Sequence, residues 1–144
     1  MEIDGLTSEE YLEAVLYHYK KRNITNVLPV NDEELKTAVY RTFRQFPEII
    51  KNYWFKCNCD DEKSDRLDYL LEGIDFAISS IESDGKISSS SNNSNYFLNS
   101  KIINIDYAWT IAPRLEETEI NRIAEAAKIF AAQINIIKSE QNKQ

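Results

Sequence analysis

Between Leu115 and Lys138 the chain reads LEETEINRIAEAAKIFAAQINIIK. Ile120, Ile123, Ala127, Phe130 or Ala131, Ile134 and Ile137 recur at alternating steps of three and four, the period of one helix face. A second set, Ala126, Ile129, Ala132 and Ile136, lies on another side. The helix predicted here is therefore apolar on two sides and needs covering twice, by its own domain or by another chain. The rest of the chain is expected to be arranged around it.

Two further helices announce themselves by the same start signal. In Leu6-Thr7-Ser8-Glu9-Glu10-Tyr11, Thr7 can cap and Glu10 can reach back to its amide, with Leu6 and Tyr11 as the two ends of a hydrophobic staple. The helix should run from Ser8 to about Arg22 on an inner face of Tyr11, Leu12, Val15, Leu16 and Tyr19. Lys20, Lys21 and Arg22 fall at its negative end, and Asn23 terminates it. In Val30-Asn31-Asp32-Glu33-Glu34-Leu35 the signal repeats, with the cap at Asn31 and the staple Val30/Leu35. That helix should bury Leu35, Ala38, Val39, Thr42, Phe43 and Phe46. Beyond Pro47 the stripe continues in phase through Ile49, Ile50, Tyr53 and Trp54, which predicts one long helix bent at Pro47. The stretch between these helices, Ile24 to Val30, reads as an extended connector that Pro29 bars from the centre of a sheet.

After a polar loop, Cys57 to Asp65, a fourth helix is predicted from about Arg66 to Ser83. It fits on Leu67, Leu70, Leu71, Ile74, Ala77, Ile78 and Ile81, and Gly85 stops it. Tyr69 and Phe76, one heptad apart on the opposite face beside Gly73 and Ser80, form a candidate contact stripe. Residues 86–100 carry the run SSSSNNSN and are expected to be a flexible loop. Residues 101–112, KIINIDYAWTIA, fit two patterns. Ile103, Ile105, Tyr107, Trp109 and Ile111 alternate as a strand would, with Tyr96–Leu98 and Ile24–Leu28 as the nearby partners. A helix would put Ile102, Ile105, Trp109 and Ala112 on one face. The surrounding helices tip the balance towards helix, or towards an irregular segment lying on the core. Residues 139–144 should form a frayed tail. The expected fold is a single all-α domain, a bundle of four main helices with the second bent.

Composition adjusts this picture in three places. Three Gly and three Pro in 144 residues are too few for the many turns of a sandwich or barrel. A net charge of −7 opposes broad phosphate-backbone binding, so direct nucleic-acid binding is not expected. The acidic start MEIDGLTSEE and the lack of a long apolar run predict no secretion signal and no membrane span, hence a cytoplasmic setting. Cys57 and Cys59, one residue apart, are expected to be reduced thiols.

Little catalytic chemistry is in reach. No glycine cluster can cradle phosphate, and a single histidine, His18, cannot supply a site that needs two. His18 reads as structural. Cys57-Asn58-Cys59-Asp60-Asp61 has no second Cys or His cluster to complete a zinc site. The carboxylate pairs Glu10/Glu13 and Glu72/Asp75 have the spacing that puts two ligands for a hard cation on one helix face. In a chain with 24 acidic residues such pairs arise by chance. The expectation is a non-enzymatic protein-interaction module without metal or cofactor: an adaptor, an assembly subunit or an inhibitor, for which a basic partner suits the charge. Ile129, Ile136, Tyr69 and Phe76 are its candidate contact residues, and the last helix is the seam if the chain forms a homodimer. The alternatives are a metal-dependent hydrolase using Glu13, Glu72 and Asp75, and an accessory subunit of a nucleic-acid-processing assembly.

Overall fold

Both capping boxes form as their residues require. The computed structural model describes residues 6–46 and 64–142; at positions 8, 64–72 and 141–142 it describes the backbone alone. Helix α1, Ser8–Asn23, begins with the Glu10 N–H donating to Thr7 Oγ1 at 3.2 Å and the Thr7 N–H donating to Glu10 Oε1 at 2.9 Å. Helix α2, Asp32–Phe43, repeats the exchange between Asn31 and Glu34, both bonds at 2.9 Å. The staple residues Leu6, Tyr11, Val30 and Leu35 are all buried, as are all six expected inner positions of α2 and its extension, Leu35 to Phe46. The bend expected at Pro47, with Ile49, Ile50, Tyr53 and Trp54, lies outside the described residues, as do Cys57 and Cys59.

Helix α3, Ser64–Ser83, buries Ile74, Ala77, Ile78 and Ile81. It closes in a Schellman motif: Lys86 N–H donates to Ile81 C=O, Gly85 N–H donates to Glu82 C=O, and Gly85 sits at φ +81°, a conformation natural to glycine. The end of α1 is built on the same plan with a less suitable residue. Ile24, 89% exposed, takes the left-handed position at φ 51°, and its N–H donates to Lys20 C=O. Asn23, the expected terminator, is the last helical residue.

A small antiparallel sheet departs from the all-α expectation. Strand β1, Val27–Leu28, pairs with β3, Tyr96–Leu98, which also pairs with β2, Ile87–Ser89, giving the order β1-β3-β2. Those two segments, Tyr96–Leu98 and the connector after Ile24, thus find each other and leave 101–112 without a strand partner. Residues 86–100, expected to be a loop that buries nothing, form a hairpin. Ile87, Tyr96 and Leu98 point into the core, and the Ser/Asn run caps its tip with hydrogen bonds such as Ser90 Oγ–Asn92 Oδ1 at 2.7 Å. The apolar residues flanking the run supply the buried face; the run itself only turns the chain. Pro29 directly follows β1, which is an edge strand.

Helix α5, Glu117–Asn142, continues through residues expected to fray. Ile123, Ala127, Phe130, Ile134 and Ile137 are buried, and the helix packs against both α1 and α2. Tyr19 meets Phe130 edge-on at 5.6 Å, and Arg122 lies over Phe46 at 4.6 Å. The second apolar side divides: Ala126 is buried, Ile129 half-buried, Ala132 and Ile136 exposed. Among the described residues, the most enclosed stretch of helix lies on α1 instead. Every residue from Tyr11 to Leu16 is buried, so no side of it at that level meets solvent, and α3, α5 and the segment after the hairpin all pack on it. Among the described residues no helix is long and apolar enough to cross a membrane.

Candidate functional site

The stretch that fitted two patterns is helical, but not uniformly so. Helix α4, Ser100–Asp106, is capped by Asn99, whose Oδ1 accepts from the Ile102 N–H at 3.2 Å. A π-helical turn follows at Tyr107–Ile111, closed by the Ala112 N–H on the Tyr107 C=O, and then a 3-10 turn at Ala112–Arg114. π turns are rare and concentrate at functional positions. Ile103, Tyr107 and Ile111 face the core at a spacing of four. The face expected to lie on the core if this were a helix turns outward: Ile102 is 36%, Ile105 53% and Trp109 80% exposed. Only Ala112 of that face is half-buried. Large apolar side chains aligned at three- and four-residue steps on the outside of a folded chain are the informative exception to ordinary surface composition.

The inward side of this segment covers a polar stripe of α1. Glu10, Glu13 and Tyr17 follow one another at helical spacing, and each has a partner across the seam. Arg114 donates to Glu10 at 2.6 Å. Tyr17 stacks on Tyr107 at 3.9 Å between ring centroids, nearly parallel, and Lys20 and Lys21 lie over the Tyr17 ring. His18 Nε2 and the Tyr107 hydroxyl are hydrogen-bonded at 2.9 Å. Burial, with the charge of Lys21 adding to it, pushes the imidazole down to about 4, so His18 is a neutral structural residue at neutral pH.

Glu13 is the unusual member. It is 1% exposed, and Lys86 Nζ donates to its Oε1 at 2.8 Å while its Oε2 meets no donor. Lys86 comes from the turn that Gly85 makes possible, and it also reaches Asp106 at 3.2 Å and Asp84 at 3.7 Å. Burial pushes the Glu13 carboxyl up to about 8; the adjoining Asp106 adds to the rise, and Lys86 opposes it. Asp106 is held below the usual carboxylate range, first by its hydrogen bond with Glu13 and then, against some burial, by Lys86. Burial opposes the charge on Lys86, but its two carboxylate partners outweigh it and raise its pKa. The group is thus a neutral acid, a carboxylate and an ammonium, with no net charge at neutral pH.

The contact residues expected from sequence are scattered. Ile129 packs against the core from a half-buried position, Ile136 is 45% exposed on α5, and Phe76 is 69% exposed on α3. The side chain of Tyr69 lies outside the described set, and so does that of Glu72. Ser80, assigned to the same stripe, instead donates to Glu9 Oε2 at 3.4 Å. Of the carboxylates with cation-ligand spacing, Glu13 is held by Lys86 and Asp75 by Lys36 at 3.3 Å. Lys36 also bridges Asp32 at 3.2 Å, and Asp32 and Asp75 border a polar cleft of about 530 Å³ between α2, α3 and the hairpin. Among the described residues no cluster of three or more His, Cys, Asp or Glu side chains has metal-holding geometry. Sequence reasoning missed Trp109 and Ile105 as surface residues and Lys86 as a half-buried one. The signal for Lys86 was the polar stripe Glu10-Glu13-Tyr17, which needs a polar cover if α1 is enclosed.

Comparison with protein-family models, with curated proteins and with solved structures finds no match in any of the three.

Proposed function

We propose that the chain is a non-catalytic protein-interaction module, acting in the cytoplasm, whose docking surface is the outer face of Ser100–Arg114. The observation that carries the reading is the aligned exposure of Ile102, Ile105 and Trp109, with Trp109 80% exposed beside a π turn. From Ile102 to Trp109 the stripe is about 10 Å long. That is the scale of a hot-spot cluster rather than of a whole interface, and tryptophan is the side chain most enriched in such clusters. The rest of the partner's footprint would fall on neighbouring polar surface, where a net charge of −7 suits a basic protein. The hydrolase alternative is less favoured because Glu13 and Asp75 are each engaged by a lysine of the chain itself.

The test is a double variant, Ile105→Ser/Trp109→Ser, whose side chains are solvent-exposed and whose melting temperature should match the parent's. Parent and variant are immobilised and exposed to native extract of the source cells, and retained proteins are quantified. A stoichiometric protein retained by the parent and lost by the variant supports the assignment. Identical retention by both moves the surface elsewhere, with Ile136 on α5 and Phe76 on α3 next in line. No retained protein, together with a monomer by light scattering, removes the interaction-module reading altogether.

A further inference from the structure

Glu13, Lys86 and Asp106 come from three separate parts of the chain: α1, the turn after α3, and the last residue of α4. Together they fix the segment that carries Trp109, since Asp106 immediately precedes the π turn. Their charges cannot all be present without cost. With both carboxylates ionised, a site from which Glu13 is excluded from water holds one unbalanced negative charge, and Glu13 Oε2 has nothing to accept from. A proton on Glu13 removes both faults at once. It neutralises the surplus charge, and it turns Glu13 into a donor within hydrogen-bonding reach of the Asp106 carboxylate.

We propose that Glu13, Lys86 and Asp106 form a proton-dependent clasp that fastens the Trp109-bearing segment to α1, and that loss of the Glu13 proton releases this segment. Among the described residues, the groups around the clasp do not offer a substitute proton or cation. On α1, Glu10 is engaged by Arg114, and Glu9 accepts from Ser80 of α3. On the turn after α3, Asp84 adds a further negative charge 3.7 Å from Lys86. On the π turn, Tyr107 is taken by His18, which is neutral, and its phenol is pushed well above its usual range by burial. Where α5 meets α1, Tyr19 packs edge-on against Phe130. Extra charge at Glu13 is therefore relieved by opening the seam to water. The short α4–π segment is held to the core by three buried apolar side chains, Ile103, Tyr107 and Ile111. The consequence for partner binding rests on the docking surface proposed above; the release itself does not.

The experiment is amide hydrogen exchange of the full chain and of Glu13→Gln at pH 6.5 and pH 9. Comparing the two proteins at each pH cancels the chemical rise in exchange rate. Glutamine keeps the shape, the donor and the neutrality of the protonated acid. The expected result is that protection of residues 103–112 in the parent, relative to the variant, falls at least tenfold from pH 6.5 to pH 9, with this segment exchanging ahead of α2 and α5. A parent-to-variant ratio that is the same at both pH values overturns the proposal, as does exchange of residues 103–112 at one common rate with α2 and α5. Should the variant not fold, the parent alone decides. The carboxyl ¹³C shift of Glu13 and the amide shifts of Tyr107 to Ile111 must titrate with one midpoint; different midpoints, or no movement of the amides, refute the clasp.

Discussion

Replacing Glu13 by glutamine should turn a protein that loses stability in mild alkali into one that does not. The carboxyl titrates near 4.5 in an unfolded chain and near 8 in the fold. Between those values the folded form keeps a proton that the unfolded form has given up, so unfolding releases it and stability falls by about 1.4 kcal/mol per pH step. This contribution is complete below pH 4.5 and gone above pH 8. His18 works in the opposite sense. It titrates near 6.5 unfolded and near 4 folded, so unfolding takes up a proton between those values and stability rises with pH there. From pH 4.5 to 6.5 the two cancel. From 6.5 to 8 Glu13 acts alone, and the parent should lose about 2 kcal/mol. For a chain of this length that is roughly 6–8 °C in melting temperature.

Glu13→Gln keeps the His18 rise and lacks the later fall. Its advantage over the parent should grow steadily from pH 4.5 and reach on the order of 5 kcal/mol at pH 8. The assay is urea unfolding followed by far-UV circular dichroism, in half-unit pH steps from 4.5 to 9 at fixed ionic strength. Parallel curves for the two proteins would refute the reasoning, because they would mean that Glu13 titrates alike in the folded and unfolded chains. Glu13→Ala is the wrong probe: it opens a cavity beside the half-buried Lys86 and mixes packing with protonation.

Three further outcomes are expected. Ile103→Ala should cost about 2–5 kcal/mol and Ile105→Ala no more than about 0.5, since Ile103 is fully buried and Ile105 is 53% exposed; similar losses at both, measured by chemical denaturation, would restore the strand pattern in which they share a face. Ile24→Gly should raise stability by about 0.5–1 kcal/mol, because the left-handed conformation penalises a branched side chain that is 89% exposed and contributes no packing; a lower melting temperature would show that Ile24 makes contacts worth more than its strain. Thr42→Val should stabilise by about 1–3 kcal/mol, since Thr42 Oγ1 is buried without a hydrogen-bond partner and valine fills the same space; an unchanged or lower unfolding midpoint would reveal a partner for the hydroxyl.

The helices were legible where the signal was local. Thr7/Glu10 and Asn31/Glu34 satisfy backbone donors within three residues of themselves, so no distant contact was needed to place the starts of α1 and α2. The apolar stripes of α2, α3 and α5 were legible because each helix has a solvent side that makes the contrast. The same reasoning misjudged α1. Its apolar residues define one face correctly, but Glu10, Glu13 and Tyr17 lie outside that face and form a polar seam that the pattern did not show. Only knowledge of what lies opposite, Arg114, Lys86, Asp106 and Tyr107, reveals the seam, and those residues are 73 or more positions away along the chain. The sheet was hidden for a similar reason: strands of two or three residues have no period to detect, and their pairing is set by contacts between distant segments.

The segment 100–114 shows why a periodicity can mislead even when it is read correctly. Its buried residues, Ile103, Tyr107 and Ile111, recur every four positions because the π turn takes in more residues than an α turn and so brings Ile111 back under Tyr107. Four is a multiple of two. A helix of this kind therefore carries the alternation of a strand, and Ile105 and Trp109 complete the illusion from the other side. Those two residues join Ile102 at the ordinary helical spacing, so the segment has two apolar faces and can bury only one. The polar seam decides which. Asp106 has to reach Lys86 and Tyr107 has to reach His18, and satisfying both turns Ile103, Tyr107 and Ile111 inward and leaves Ile102, Ile105 and Trp109 in solvent. The exposed stripe is thus not a leftover of poor packing. It follows from the same contacts that hold the clasp, which is why a change of charge at Glu13 should be felt at Trp109.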